Sequence, residues 1–287
     1  MFIVLGATGH VGSATARALL GEGEPVTVVT REAAAAEDLR ALGATVAVAD
    51  VRQVDALRDV FRRGKRLFLL NPPAAPSTDT DVVERETIRC ILDALDGSKL
   101  EKVVAESTYG AQPGGRCGDL NTLFELEEGL RAQPIPTAII RAAYYFSNWD
   151  PMLKPAGDDG VLPTMYPVDL KIPMVAPDDL GRVAAHLLKE PADRVGVHYV
   201  EGPERYSSGD VAATFAKALG REVRPVATPR DQWEQAYRDR GFSEAAAHSY
   251  ARMTAVSVDG DYDMPDAPIC GSITLESYIG ALVQKAD

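Results

Sequence analysis

The sequence predicts an α/β fold: a doubly wound parallel sheet with a smaller α+β subdomain at its C-terminal end, the two forming a cleft. Three observations lead there. Short apolar runs alternate with amphipathic stretches over the first 141 residues, a glycine triplet directly follows the first run, and the strand–helix rhythm breaks after about residue 150. The 287 residues are 46% hydrophobic and 25% charged, a globular composition that excludes wholesale disorder. Forty-two acidic against thirty basic residues give a net charge of −12. Direct binding to DNA or RNA is disfavoured on that balance, because such affinity comes largely from Lys and Arg neutralising phosphates.

Strands are expected at Phe2–Leu5, Val26–Thr30, Thr45–Ala49, Leu67–Leu70, Val103–Ala105 and Thr137–Ile140. Their apolar character is continuous, as befits parallel strands covered on both faces. Between Asp81 and Leu95, residues Ile88, Ile91, Leu92 and Leu95 fall on one helical stripe. Such alternation with short connections argues for right-handed βαβ units. Residues 151–177 are rich in Pro and Gly and read as a long irregular connection. A helix follows with the stripe Leu180, Val183, Ala184, Leu187 and Leu188, capped by Asp178 or Asp179. A strand at Val197–Val200, a helix from Ser207 to Gly220, and helices at 231–240, 243–253 and 274–286 complete the chain. This places a first domain at 1–150 and a smaller one at 151–287, free to interleave, with the second covering the ligand-binding edge of the sheet.

Residues 5–12 read Leu-Gly-Ala-Thr-Gly-His-Val-Gly, after a strand and before a helix. In that context Gly6 permits the tight turn, Gly9 lets the backbone approach a pyrophosphate, and Gly12 lets the helix pack on the sheet. Thr8, His10 and Val11 complete the loop, and the helix N-terminus turns unpaired N–H groups toward the anion. The second strand ends at Thr30-Arg31, where Arg31 suits a ribose 2′-phosphate while Glu32 keeps a 2′-hydroxyl in play. Asp50 and Val51 after the third strand are placed for the adenine side. Asn71-Pro72 after the fourth, and Ser107 after the fifth, are placed near the nicotinamide ribose.

These segments, with Ser107-Thr108-Tyr109, Glu125-Leu-Glu-Glu, Arg141-Ala-Ala-Tyr-Tyr-Phe-Ser-Asn148 and Val175-Ala-Pro-Asp-Asp-Leu-Gly-Arg182, resemble the NmrA-like branch of the atypical short-chain dehydrogenases/reductases. The resemblance runs nearly end to end. It implies a Rossmann domain that binds NADP(H) and a small C-terminal subdomain closing a cleft. It also implies one of two activities: NADPH-dependent reduction of quinones or related carbonyl compounds, or redox sensing through a protein partner. The Tyr-x-x-x-Lys pair of ordinary short-chain dehydrogenases is missing, since no tyrosine has a lysine four places on. The lysine that some relatives carry early in the helix of Glu125 is absent too, with Thr122, Leu123 and Phe124 at the neighbouring positions.

Tyr109 and Tyr144 remain as candidate catalytic residues, with neither expected to be an indispensable proton donor. An untuned phenol near pKa ~10 is a poor acid at neutral pH. A reductase of quinone-like or small electrophilic acceptors fits best, because an aromatic product anion needs less help from an acid. A sugar-nucleotide epimerase is disfavoured by the same absence. The expected partners are a small-molecule acceptor and either a regulatory protein or a second copy of the chain, with no nucleic acid or membrane. The four histidines show no metal spacing. Three scattered cysteines suit reduced thiols in the cytoplasm, Cys90 being read as core and Cys117 as a loop residue.

Overall fold

A computed structural model describes residues 1–286. The first half is strand–helix alternation: β1 (Phe2–Val4), α1 (His10–Gly21), β2 (Val26–Thr30), α2 (Glu37–Ala41), β3 (Thr45–Val48), α3 (Val54–Phe61), β4 (Arg66–Leu69), α4 (Thr80–Leu95), β5 (Lys102–Thr108), α5 (Asp119–Arg131) and β6 (Thr137–Ala142). There follow β7 (Tyr144–Tyr145), α6 (Leu153–Asp158), β8 (Val161–Thr164), β9 (Ile172–Val175), α7 (Pro177–Lys189), β10 (Gly196–Glu201), β11 (Arg205–Tyr206), α8 (Ser208–Leu219), β12 (Arg224–Ala227), α9 (Trp233–Asp239), α10 (Glu244–Asp259), β13 (Ile269–Cys270) and α11 (Leu275–Ala286).

Eight parallel strands form one sheet in the order β13-β10-β6-β5-β4-β1-β2-β3, a Rossmann-like arrangement. Ile3 of β1 registers with Thr27 on one side and Leu67 on the other. The order reverses between β1 and β4, so a crevice opens beyond their C-terminal ends, where such sheets bind ligands. One face buries Val4, Val28, Phe68 and Val104 beneath α1 and α7. The other buries Ile3, Leu5, Leu67 and Val103 against Leu57 and Phe61 of α3, Ile91 of α4 and Leu126 of α5. Helices α1 and α7 cross tightly: a Cβ on Gly181 would lie 2.5 Å from the Ala14 carbonyl carbon. Among the described residues no helix is long and apolar enough to cross a membrane.

The second half departs from its sequence reading in two ways. The stretch 151–177 carries α6, β8 and β9, whose apolar residues Ala156, Leu162, Ile172 and Met174 build a separate core with Phe146, Phe215 and Ile279. Helix α8 does run between the expected signals, with Ser207 and Asp210 forming a capping box and Gly220 left-handed at the far end. Asp179, in contrast, does not cap its own helix. Helix α7 begins with Pro177 after Ala176 and has no side-chain cap. The buried Asp179 carboxylate accepts from the Ser272 and Ile273 N–H groups at 3.1 and 3.0 Å and pairs with Arg182, tying the C-terminal segment to the sheet layer. Asp179→Ala should therefore lower stability by about 1.5–3 kcal/mol, the range for lost bonds to a charged group. Denaturant titration reads this directly, and a change within error would refute the tethering role. Cys90 is only partly buried and Cys117 is buried, the reverse of their expected order.

Candidate functional site

The glycine loop is built around one contact. Gly6 takes φ +64° and its carbonyl accepts from the Gly9 N–H at 2.9 Å. A Cβ at residue 12 would stand 2.2 Å from that same carbonyl oxygen and 2.9 Å from the Ala7 nitrogen, so only glycine lets α1 start there. Gly9 precedes α1 with no side-chain cap, and among the described residues the N–H groups of His10, Val11 and Gly12 find no protein acceptor. Helix N-termini in this state attract anions. Thr8 and His10 are exposed at the loop's surface, Val11 is buried beneath it, and His10 Nε2 lies 4.0 Å from Asp150.

Around the loop, Thr30 is buried at the end of β2, its hydroxyl bonded to the Glu32 backbone. Arg31 is exposed, and among the described residues no carboxylate lies within ion-pair distance of it. The Asp50 carboxyl is held below the usual range, chiefly because it accepts the Arg52 N–H at 2.9 Å, with a smaller contribution from the charge of Arg31. Val51 and Pro72 are half-buried on either side. Asn71 leaves its buried Oδ1 without a partner, an acceptor available to a hydroxyl or amide of a ligand. These features fit a dinucleotide: a cradle closed to any side chain at residue 12, free N–H donors, an unpaired cation and an unsatisfied amide.

Beyond the ends of β5 and β6 lies a cleft of about 420 Å³. Ser107 and Tyr109 of the first half line it, facing Tyr144, Trp149, Tyr166 and, from α9 and α10, Tyr237 and Tyr250. Tyr144 sits edge-on to Trp149 and Tyr166, at centroid separations of 5.9 and 5.4 Å. The walls are thus aromatic rings packed edge-to-face, an apolar lining suited to a flat guest. The cleft-lining Trp149 leaves its buried indole N–H without an acceptor.

Several polar groups at the floor are already committed. The Ser107 hydroxyl donates to Glu127 at 2.6 Å, and Glu127 also accepts from Arg141 at 2.9 and 2.8 Å and from Arg131 at 2.9 Å. Ser107 therefore braces β5 against α5 and β6. Tyr109 donates to Glu201 at 3.3 Å, and Tyr145 donates to Glu106 at 2.8 Å. Burial raises the pKa of Tyr109 and of Tyr144 further above the ordinary phenol range, making both weaker acids. Neither tyrosine is tuned to give up a proton at neutral pH, in line with the missing lysine. Burial also pushes Glu106 up to about 8.

The sequence missed the carboxyl group that does face the cleft. Asp119, first residue of α5, lines it and is paired with the Glu84 carboxyl of α4. Read as sequence, an Asp following a glycine at a helix start is an ordinary helix-opening residue, so no local signal marked it. The aromatic rings from α9 and α10 were equally unmarked, because helical periodicity does not say which pocket a helix covers.

A family model described as the NmrA-like family matches residues 1–278. The chain belongs to the NmrA-like family. It is 24% identical over 257 residues to an NAD(P)H azoreductase of Xenophilus azovorans, covering 90% of this chain and 87% of that protein. In fold it resembles the Escherichia coli NADPH-dependent quinone oxidoreductase solved with NADPH (TM-score 0.80, 20% identity, 98% of this chain and 99% of that one). It resembles equally the Citrobacter sp. triphenylmethane reductase solved with NADP(H) (TM-score 0.80, 16% identity, both chains covered completely).

Proposed function

We propose that this NmrA-like protein is an NADPH-dependent reductase of planar electrophiles, of the quinone or azo class. The observation that carries the reading is the aromatic cleft of about 420 Å³ at the C-terminal ends of β5 and β6, on the sheet edge that bears the glycine loop. The azoreductase relative and the two reductase-like structures support it. Residues Gly6, Thr8, Gly9, His10, Val11 and Gly12 would hold the pyrophosphate. Thr30 and Arg31 would take the 2′-phosphate, Asp50 and Val51 the adenine side, and Asn71, Pro72 and Ser107 the nicotinamide end. When bound, the cofactor supplies a hydride. The protein's part is to hold a flat acceptor between Tyr144 and the rings facing it, to keep water out, and to offer the Trp149 N–H to an acceptor atom. Residues 1–150 would carry the cofactor and 151–287 the outer wall of the cleft. The two are interleaved, because β10 and β13 extend the main sheet and α7 packs on α1. Arg240, at the cleft and without a carboxylate partner among the described residues, favours acceptors bearing a negative substituent.

The test is steady-state NADPH oxidation against a panel of quinones, azo dyes and enals. Saturable turnover with at least one planar aromatic acceptor is the expected result. Tight NADPH binding with no turnover across the panel would overturn the reading and favour a sensor acting through a protein partner. In the same assay Tyr109→Phe and Tyr144→Phe should slow turnover by less than the ~10²–10⁴-fold that loss of a general acid brings. A thousandfold fall in Tyr109→Phe, with folding and NADPH affinity preserved, would restore a dedicated tyrosine acid.

A further inference from the structure

Hydride transfer to an azo nitrogen or a carbonyl leaves an anion that must be protonated. In this protein the tyrosines of the cleft are poorly suited to that task, and no lysine is there to help. We propose that Asp119, paired with Glu84 in the cleft wall, is the catalytic acid that protonates the reduced acceptor. The proposal rests on the reductase reading given above.

Geometry singles out Asp119. It lines the cleft at the first turn of α5, while its partner Glu84 is fully buried behind it. Both Glu84 oxygens are engaged: Oε1 accepts the Ala74 N–H and Oε2 accepts the Thr122 hydroxyl, each at 3.1 Å. Two carboxyl groups paired in the cleft wall, Glu84 buried and Asp119 half-buried, resist being ionised together, so one proton stays with the pair. The groups facing them do not relieve that charge. Asp81 of α4 adds a negative charge, itself satisfied by the Ser249 hydroxyl at 2.6 Å and Arg85 at 3.4 Å. Arg85 is shared with Glu125 at 2.9 Å and makes no bond to the pair. Tyr145 of β7 and Tyr250 of α10 face Asp119 as neutral phenols. The Ala74 N–H and the Thr122 hydroxyl favour ionisation of Glu84, and the N-terminus of α5 favours ionisation of Asp119, the latter an effect limited to about 0.3–1 kcal/mol in ordinary settings. Burial and mutual repulsion outweigh them, and both carboxyls are raised above the usual range.

The balance of the step is simple. The acceptor gains a hydride, hence two electrons, from NADPH, and its anionic oxygen or nitrogen takes the proton from the Asp119 carboxyl. The O–H bond of Asp119 breaks, a new O–H or N–H bond forms on the product, and solvent at the cleft mouth reprotonates the pair. Because the protonated form is the active one, the rate should fall as pH rises through the pair's raised titration. The demand also depends on the acceptor. A quinone leaves an aromatic oxyanion that persists without an acid, whereas reduction of an azo bond leaves a more basic nitrogen anion.

The experiment uses the full-length protein with NADPH and two probes, 1,4-benzoquinone and methyl red. Asp119→Asn should lower kcat for methyl red by about a hundredfold or more while changing benzoquinone turnover by less than about tenfold. A merely misfolded variant would lose both. Asp119→Glu should restore part of the methyl red activity, and Glu84→Gln, which removes the second carboxyl, should move the alkaline limb of its pH profile to lower pH. Independently of turnover, the infrared difference between wild type and Asp119→Asn at pH 7 should contain the C=O band of a protonated carboxylic acid. The proposal falls if that band is absent, if Asp119→Asn retains methyl red turnover, or if Glu84→Gln leaves the limb in place. If the wild type oxidises NADPH with neither probe nor any other acceptor of the panel above, the reductase reading itself falls, and this proposal with it.

Discussion

Gly9→Val is expected to abolish measurable NADPH binding while leaving the thermal unfolding midpoint close to wild type. Gly9 is extended, with φ −95° and ψ 177°, a conformation open to any residue. A Cβ there would meet only the Gly6 carbonyl oxygen, at 3.4 Å, so the chain tolerates it. What the isopropyl group would fill is the hollow faced by the N–H groups of His10, Val11 and Gly12, where the proposed pyrophosphate would sit. Gly12→Val makes the contrasting control. Its Cβ would overlap the Gly6 carbonyl and the Ala7 nitrogen, both backbone atoms that cannot swing aside. That variant should lose stability as well as affinity, by more than the ~1–3 kcal/mol typical of core overpacking. Fluorescence titration with NADPH and thermal melts on both variants separate the two effects. Unchanged NADPH affinity in Gly9→Val would sink the assignment of the loop.

Arg31→Ala is expected to weaken NADPH binding selectively. The guanidinium is exposed beyond β2 with no carboxylate partner among the described residues, so its charge is available to a ligand phosphate. Losing a charge-assisted contact of that kind costs about 1.5–3 kcal/mol. The dissociation constant for NADPH should then rise roughly 10- to 150-fold, with NADH little affected. Parallel titrations with the two cofactors provide the measurement. Equal affinities in the wild type would mean that Glu32 governs the site and NAD(H) is accepted as readily.

Much of the glycine loop's geometry was legible because its signals are local. A glycine is needed at residue 12 for a contact with residue 6, and a free helix N-terminus follows four residues after Gly6; both lie inside one turn of chain. The apolar runs of β1, β2 and β4 likewise announce a sheet covered on both faces. The 151–177 stretch shows the opposite case. Its prolines suggested irregular chain, yet Pro163 lies in β8 and Pro173 in β9, short strands of two- and three-stranded sheets where few ladder bonds are demanded. Asp179 read as a helix cap because spacing along the chain cannot reveal that Ser272 and Ile273, more than ninety residues on, take its oxygens.

By itself the sequence determined that this chain alternates strand and helix, opens with a phosphate-type glycine loop, carries Arg31 rather than an acid at the end of β2, and lacks any Tyr-x-x-x-Lys pair. Each of those is a property of residues within a few positions of one another. Only the tertiary structure decided what the cleft is made of. It brings Tyr144, Trp149 and Tyr166 against Tyr237 and Tyr250, and it sets Asp119 on the cleft wall against Glu84. A side chain's neighbours across the fold, and the water they exclude, fix whether a carboxyl keeps its proton. That environment arises when α4, α5 and α10 pack together, and no stretch of sequence contains it.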